Sequence, residues 1–254
     1  MNLIGYDALN LGGLELYLGL DFLRNMNSKF SLPFLSSNLI QENGTRIPWI
    51  KDNIIKDIAG LKVAFLGIMP TDAFEKIPHP GYVKNLKIIP PEKALNDLLP
   101  DIKKKADFLV LLSQCGFETT ATLVNSLKGI DLAISCGTQK PSSNYGFGPV
   151  PVLQTGSQGK QLGHIQLTKN DTGAMSIGQG VLIELDESAP SDSRIEKIVK
   201  DVSSKIFQEK RRLADERRHQ KSHQALIKGL ESTPEKFLQM EQERKTRKNT
   251  GEYK

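Results

Sequence analysis

Residues 108–135 read FLVLLSQCGFETTATLVNSLKGIDLAIS. Phe108 to Leu112 is an unbroken apolar run, the pattern of a strand buried on both faces. Glu118 to Leu127 follows as a helix, and Asp131 to Ser135 as a second strand. A strand, a helix and a strand in this order predict two parallel strands joined by a right-handed crossover, hence an α/β fold. Ligands in such folds bind beyond the carboxyl ends of the strands. Ser113-Gln114-Cys115 and Cys136-Gly137-Thr138-Gln139 each follow a strand directly, so both loops fall where chemistry is expected.

Working outward, Leu61 to Ile68 (LKVAFLGI) predicts another buried strand, stopped by Pro70. Arg46 to Ile58 reads as its hairpin partner, closing at Ala59-Gly60. Pro91 opens a helix at the position proline favours, and Lys103-Lys104-Lys105 suits its C-terminus electrostatically. Nearer the start, Gly13 to Leu23 sets Leu16, Leu20 and Leu23 on one helical face, and Leu32 to Ile40 reads as a strand. Beyond a loop at Lys140 to Gly148, the segments Val150 to Leu153, Gln161 to Thr168 and Ala174 to Leu185 predict a closing set of antiparallel strands.

Ser188-Ala189-Pro190-Ser191 marks a boundary between an α/β domain over 1–187 and a charged helical tail over 191–254. Ser193 and Glu196 have the spacing of a capping box. Ile195, Ile198, Val199, Val202 and Ile206 then form an apolar helical stripe, expected to pack on the globular part. Thr233-Pro234-Glu235 reads as the start of another short helix.

The chain has 254 residues and a formal net charge of +5. Of its 34 Lys/Arg and 29 Asp/Glu, 17 and 11 fall in 191–254, so the tail carries +6 and the rest −1. A basic tail can meet nucleic acid or anionic lipid. Its interspersed acids favour a solvated helix face instead, and the lack of Phe, Tyr or Trp between Lys210 and Lys228 argues against nucleic acid. No run approaches the length of a transmembrane helix. Asp7, Glu15 and the lack of a basic n-region argue against a signal peptide in the first twenty residues. Two cysteines are too few for a disulfide scaffold or a structural zinc site.

Four short frames carry more information: Gly5-Tyr6-Asp7-Ala8 running into Leu11-Gly12-Gly13-Leu14-Glu15; Ser36-Ser37-Asn38; Leu112-Ser113-Gln114-Cys115-Gly116; and Gly129-Ile130-Asp131 running into Cys136-Gly137-Thr138-Gln139. In order and spacing the chain resembles the 5'-nucleotidase, UshA-like branch of the calcineurin-like metallophosphoesterases, over roughly residues 2 to 186. The resemblance implies a layered αββα sandwich, here partial, followed by the long helical extension. It implies two metals held by carboxylate, Asn and His ligands, clamping a phosphate and activating a water. The family has an Asn-His pair before Glu15, a His after Ser113 and a Gly-His-x-His after Ser135. Here those positions hold Gly13 and Leu14, then Gln114, then Gly137 and Gln139, none of them a good metal ligand. The family's earlier Asp-x-His and Gly-Asp motifs have no counterpart. That gap implies either one piece of a longer protein, or a sheet completed by a partner or by rearrangement.

The resemblance thus implies a degenerate, non-catalytic domain with no metal or other cofactor, used for binding or assembly. Asn38, Glu15, Thr138 and Ser157 are its candidate ligand-cleft residues. Relatives with a similar tail continue into multihaem cytochrome c segments, which implies a protein partner for the C-terminal helix, such a cytochrome among the candidates, or oligomerisation. The family setting implies a periplasmic or otherwise exported protein. The alternative is an active nucleotidase or phosphodiesterase completed by an N-terminal segment. Cys115 and Cys136 end neighbouring strands and read either as small buried residues or as a redox-sensitive thiol pair. His79 falls in a proline-bounded loop, His164 in a strand, and His219 with His223 on the charged helix. Thr155 to Lys160 lacks the ending of a Walker loop and reads as a tight hairpin turn.

Overall fold

The apolar runs assemble into a five-stranded sheet in a computed structural model, which describes residues 1, 3–75, 77–136, 148–170 and 175–249. The chain divides into two compact units, Met1–Ala189 and Pro190–Lys254. In chain order the first unit holds β1 (Leu9–Asn10), α1 (Leu20–Phe30), β2 (Phe34–Leu35), β3 (Leu39–Gln41), β4 (Asn53–Ile58), β5 (Leu61–Ile68) and β6 (Leu86–Ile88). It continues with α2 (Pro91–Ile102), β7 (Phe108–Ser113), α3 (Phe117–Ser126), β8 (Leu132–Ser135) and β9 (Val152–Leu153). It closes with β10 (Gln161–His164), β11 (Leu167–Lys169), β12 (Met175–Ile177) and β13 (Val181–Glu184).

The sheet order is β4-β5-β7-β8-β9. β4 and β5 form the expected antiparallel hairpin, turning at Ala59 and Gly60, whose φ angles of 53° and 81° are left-handed. β5, β7 and β8 run parallel, with Val63 opposite Phe108 and Ser113 opposite Ser135. β9 also pairs parallel, with β8, which corrects the expectation that every strand after Lys140 is antiparallel. The later pairs, β10 with β13 and β11 with β12, are antiparallel as expected.

Alternation along β7 builds the layers. Leu109 and Leu111 face Leu95 and Leu99 of α2 and Val124 of α3. Phe108 and Val110 face the other way, where Leu167, Met175 and Ile177 of the β11–β12 pair cover them. A further cluster joins Leu11, Leu16, Leu23, Phe34, Leu39, Met69 and Ile88 around the first ninety residues.

The stretch expected as one strand over 32–40 is two, β2 and β3, because Ser36, Ser37 and Asn38 spend their hydrogen bonds elsewhere. Ser37 N–H donates to the Gly67 carbonyl, and Gly67 N–H donates to Ser37 Oγ at 3.0 Å. Asn38 Nδ2 donates to the carbonyls of Met69 and Ile89, and its Oδ1 accepts from Met69 N–H. Likewise the helix expected over Gly13 to Leu23 is a 3-10 turn, Glu15–Leu18, and then α1, broken at Gly19 with φ 85°.

β1 is tied to the main sheet by one side chain. Asn10 Nδ2 donates to the carbonyls of Ile68 and Leu112 at 3.0 and 3.1 Å, bridging the ends of β5 and β7. Gly67 makes room for it: a Cβ there would lie 2.3 Å from Asn10 Oδ1.

The second unit contains one helix, α4 (Ser193–Asn249). Its cap is Asp192 rather than Ser193. Asp192 Oδ1 accepts from Arg194 N–H and its carbonyl from Glu196 N–H. The helix runs through Pro234 instead of restarting at Thr233, with the good helix formers Leu230, Glu231, Glu235 and Lys236 around it. Ile198, Val199, Val202 and Ile206 are exposed along it. Among the described residues no helix is long and apolar enough to cross a membrane.

Replacing Asn10 with Ala removes its amide hydrogen bonds to the Leu112 carbonyl and to the Ile68 carbonyl, which keeps its bond from Gln114 N–H, and is expected to destabilise the first unit by about 1–2 kcal/mol. Urea unfolding of Asn10→Ala against the parent measures it, and an unchanged midpoint would contradict the bridging role.

Candidate functional site

The carboxyl ends of β5, β7 and β8 and the loop after β1 converge, bringing Gly12, Gly13, Glu15, Gln114, Cys115 and Cys136 into one neighbourhood. The loop folds on itself first, with Gly12 N–H donating to Glu15 Oε2 at 2.9 Å. It then joins the sheet, with Gly13 N–H donating to Gln114 Oε1 at 3.1 Å.

Close approach of backbone requires glycine at position 13, and at position 12 glycine lets the Gln114 amide pack directly on the loop. A Cβ on Gly12 would sit 1.9 Å from the Gln114 amide, and one on Gly13 would sit 2.5 Å from the Ala73 carbonyl oxygen. Real Cβ atoms do not approach that closely, so position 13 has no room for an asparagine while the loop keeps this path. Leu14 points outward and is 70% exposed.

The loops after β7 and β8 are stitched to each other and to β5. Gln114 N–H donates to the Ile68 carbonyl, Cys136 N–H to the Ser113 carbonyl, and Gly116 N–H to the Cys136 carbonyl. Gln114 and Cys115 therefore both stand opposite Cys136, a bulge at the end of the parallel pair. Beneath them, buried Thr120 Oγ1 lies 2.7 Å from Ser113 Oγ and 3.4 Å from Ser135 Oγ. Cys115 N–H donates to Ser113 Oγ.

Both cysteines are free thiols, Cys115 half-buried against the helix-side core and Cys136 with an exposed edge. Burial pushes the Cys115 thiol up, a hydrogen bond from Ser113 pulls it partly back, and the Asp72 carboxylate adds to the rise. Burial also raises Cys136, and the charges of Glu15 and Cys115 raise it further. Raised thiols hold their protons, so neither is an activated nucleophile.

These donors do not fit a two-metal centre. Among the described residues, no three His, Cys, Asp or Glu side chains stand close enough to hold a metal ion. Gly137, Thr138 and Gln139 lie outside the described residues, and the sequence of 137–147 contains none of those four residue types. Within the first unit, neither histidine belongs to the site. His79 stacks edge-on against Tyr82 at 5.2 Å, and His164 lines a small apolar cavity of about 100 Å³ with Ile134, Leu153 and Val181. His219 and His223 are exposed on α4.

Two other expected cleft residues have different places. Asn38 is 0% exposed, with both ends of its amide bonded to backbone, so it is a structural clamp and not a cleft residue. Ser157 is exposed in a tight turn before β10, with Gln158 and Gly159 both left-handed, but β10 pairs with β13 and not with β9, so the turn does not close the expected hairpin. Sequence reading missed Asn10. Its signal was a polar residue at the end of a strand, three positions ahead of Gly13.

No protein-family model matches the chain. The UshA protein of Yersinia enterocolitica is 30% identical over 118 residues, covering 46% of this chain and 21% of that protein. The mouse 5'-nucleotidase is 25% identical over 228 residues, covering 77% of this chain and 38% of that protein. The chain thus spans about a fifth to two-fifths of these curated relatives. The crystal structure of the calcineurin-like phosphoesterase YfkN from Bacillus subtilis superposes with a TM-score of 0.68 at 21% identity, over 82% of this chain and 72% of that one. Its helices, five-stranded sheet and covering strand pairs are therefore those of a metallophosphoesterase domain. In sequence the chain is similar to UshA proteins and 5'-nucleotidases, and its fold is that of the calcineurin-like phosphoesterases.

Proposed function

We propose that this chain is a degenerate, non-catalytic 5'-nucleotidase-like domain that serves as a binding or assembly module. The observation that carries the reading is the hydrogen bond from Gly13 N–H to Gln114 Oε1. Gly13 and Gln114 stand where the resemblance implies an Asn and a His ligand. A metal held there would cross-link the loop after β1 to the loop after β7. A direct amide hydrogen bond makes the same cross-link with no ion. Gly12 and Gly13, packed against Gln114 and Ala73, support it, since their closeness takes up space a ligand side chain would need. Two-metal hydrolysis depends on the ions for most of its charge stabilisation and for its nucleophile.

The partner in this reading is a protein met through α4, whose apolar side chains Ile198, Val199, Val202 and Ile206 are exposed. By resemblance the candidate is a multihaem cytochrome in an exported electron-transfer assembly. Cys115 and Cys136 are then the reactive groups of the former site, a thiol pair able to close into a disulfide.

Purified protein is expected to carry substoichiometric transition metal and, with added manganese, to leave AMP and bis(p-nitrophenyl) phosphate at the background rate. Stoichiometric metal with turnover would overturn the reading in favour of an active phosphoesterase. Since both thiol pKa values are raised, the thiolate fraction at any given pH is smaller than in an unstructured peptide. Iodoacetamide is therefore expected to alkylate both slowly at neutral pH and faster only as pH rises past the ordinary thiol range, with Cys136 ahead of Cys115. After treatment with oxidised dithiothreitol, peptide mapping is expected to find a Cys115–Cys136 cross-link. Two alkylatable thiols after that treatment would contradict the pairing.

A further inference from the structure

The exposed stripe on α4 has the spacing of a helix-pairing seam. Val199, Val202, Ile206 and Leu213 follow one another at steps of three, four and seven, and each is 42–56% exposed. Steps of this kind keep one line of side chains facing a neighbouring helix. An isolated apolar line does not name its neighbour, but the charges on its two sides do.

On one side the charges are settled within the helix. Arg212 bonds Glu209 at 2.5 Å and Glu216 at 2.6 Å, three residues before it and four after. Lys205 has Asp201 and Glu209 four residues away on either side. On the other side stand Lys210, Arg217 and Lys221, which with Leu213, Ala214 and Arg218 line a shared groove. None of Lys210, Arg217 and Lys221 has an acid three or four residues away, the only spacings at which a helix neutralises its own charges. Among the described residues none of the three has an ion pair. The first and last lie eleven residues apart, about 17 Å along the helix. Ala214 leaves a notch among them.

Resting on the reading of this chain as an assembly module, we infer that α4 pairs with an amphipathic helix of another protein whose apolar seam covers Val199 to Leu213 and whose acidic flank lies on Lys210, Arg217 and Lys221. A second copy of α4 fits poorly. Antiparallel pairing would set the Lys210–Lys221 flank against itself, and parallel pairing would set Lys210 near Lys205 and Arg217 near Arg212 of the other copy. Like charges at the flanks of a helix pair select against it. Nucleic acid fits poorly too, because the exposed aliphatic line of Val199, Val202, Ile206 and Leu213 runs beside the basic flank.

The test uses the full chain and two labelled synthetic peptides of identical heptad seam, one with Glu and one with Lys at every flanking position. Fluorescence anisotropy is expected to show binding of the Glu-flanked peptide and at least about tenfold weaker binding of the Lys-flanked one. Lys210→Glu with Arg217→Glu lies on the solvent side and is expected to reverse that preference with helicity by circular dichroism unchanged. Val202→Asp is expected to weaken both peptides. Light scattering is expected to give a monomer.

Equal binding of the two peptides, a stable dimer that Val202→Asp dissolves, or binding only to vesicles containing phosphatidylglycerol would each overturn the inference. All three leave the proposed non-catalytic function standing. That function fails separately, on metal-dependent turnover.

Discussion

One asparagine holds the carboxyl edge of this domain together. Asn10 crosses from β1 to the ends of β5 and β7, donating to one carbonyl on each. It can do so only because Gly67 has no side chain in the way. Once β1 is anchored there, the next residues, Leu11 to Glu15, have one path across the top of the sheet. Leu11 enters the core, and Gly12 and Gly13 come down onto Gln114. Everything at the site follows from that descent.

The same descent explains why the loop is held closely with glycine at both positions that meet the sheet. A metal centre ties loops together through ligands that reach inward from several strands. Here the ties are backbone bonds among Ile68, Ser113, Gln114, Gly116 and Cys136, with the Gln114 side chain reaching across to the β1 loop. Buried Ser113, Thr120 and Ser135 satisfy one another below. Among the described residues, the polar groups at the top include the Glu15 carboxylate, the Gln114 amide and two thiols that keep their protons. That set suits a stable surface better than hydrolysis, and it is the physical ground for proposing a module that binds.

Much of the fold was legible because burial on both faces leaves an unbroken apolar run, as in Leu61 to Ile68 and Phe108 to Leu112. The crossovers followed from the helix between those runs. What could not be read were features set by distant partners. Ser36 to Asn38 look like ordinary strand residues, and partners brought close by folding, Lys51 for Ser36, Gly67 for Ser37, and Met69 and Ile89 for Asn38, pull them out of a strand. The direction of β9 is likewise fixed by β8, not by its own two residues. At the site, the glycine and glutamine positions were legible from frame and spacing. Their contact across a hundred residues was not, nor was the burial of Asn38, whose type alone suggests a cleft.

The central claim is that an amide hydrogen bond holds this site without an ion. Anything that binds the folded state raises its stability, by about 2.7 kcal/mol at a hundred times the dissociation constant. The direct measurement is thermal unfolding of the chain in excess chelator and in a manganese series reaching millimolar concentration. Superimposable melting curves are the predicted result, and a midpoint that climbs with manganese would contradict it.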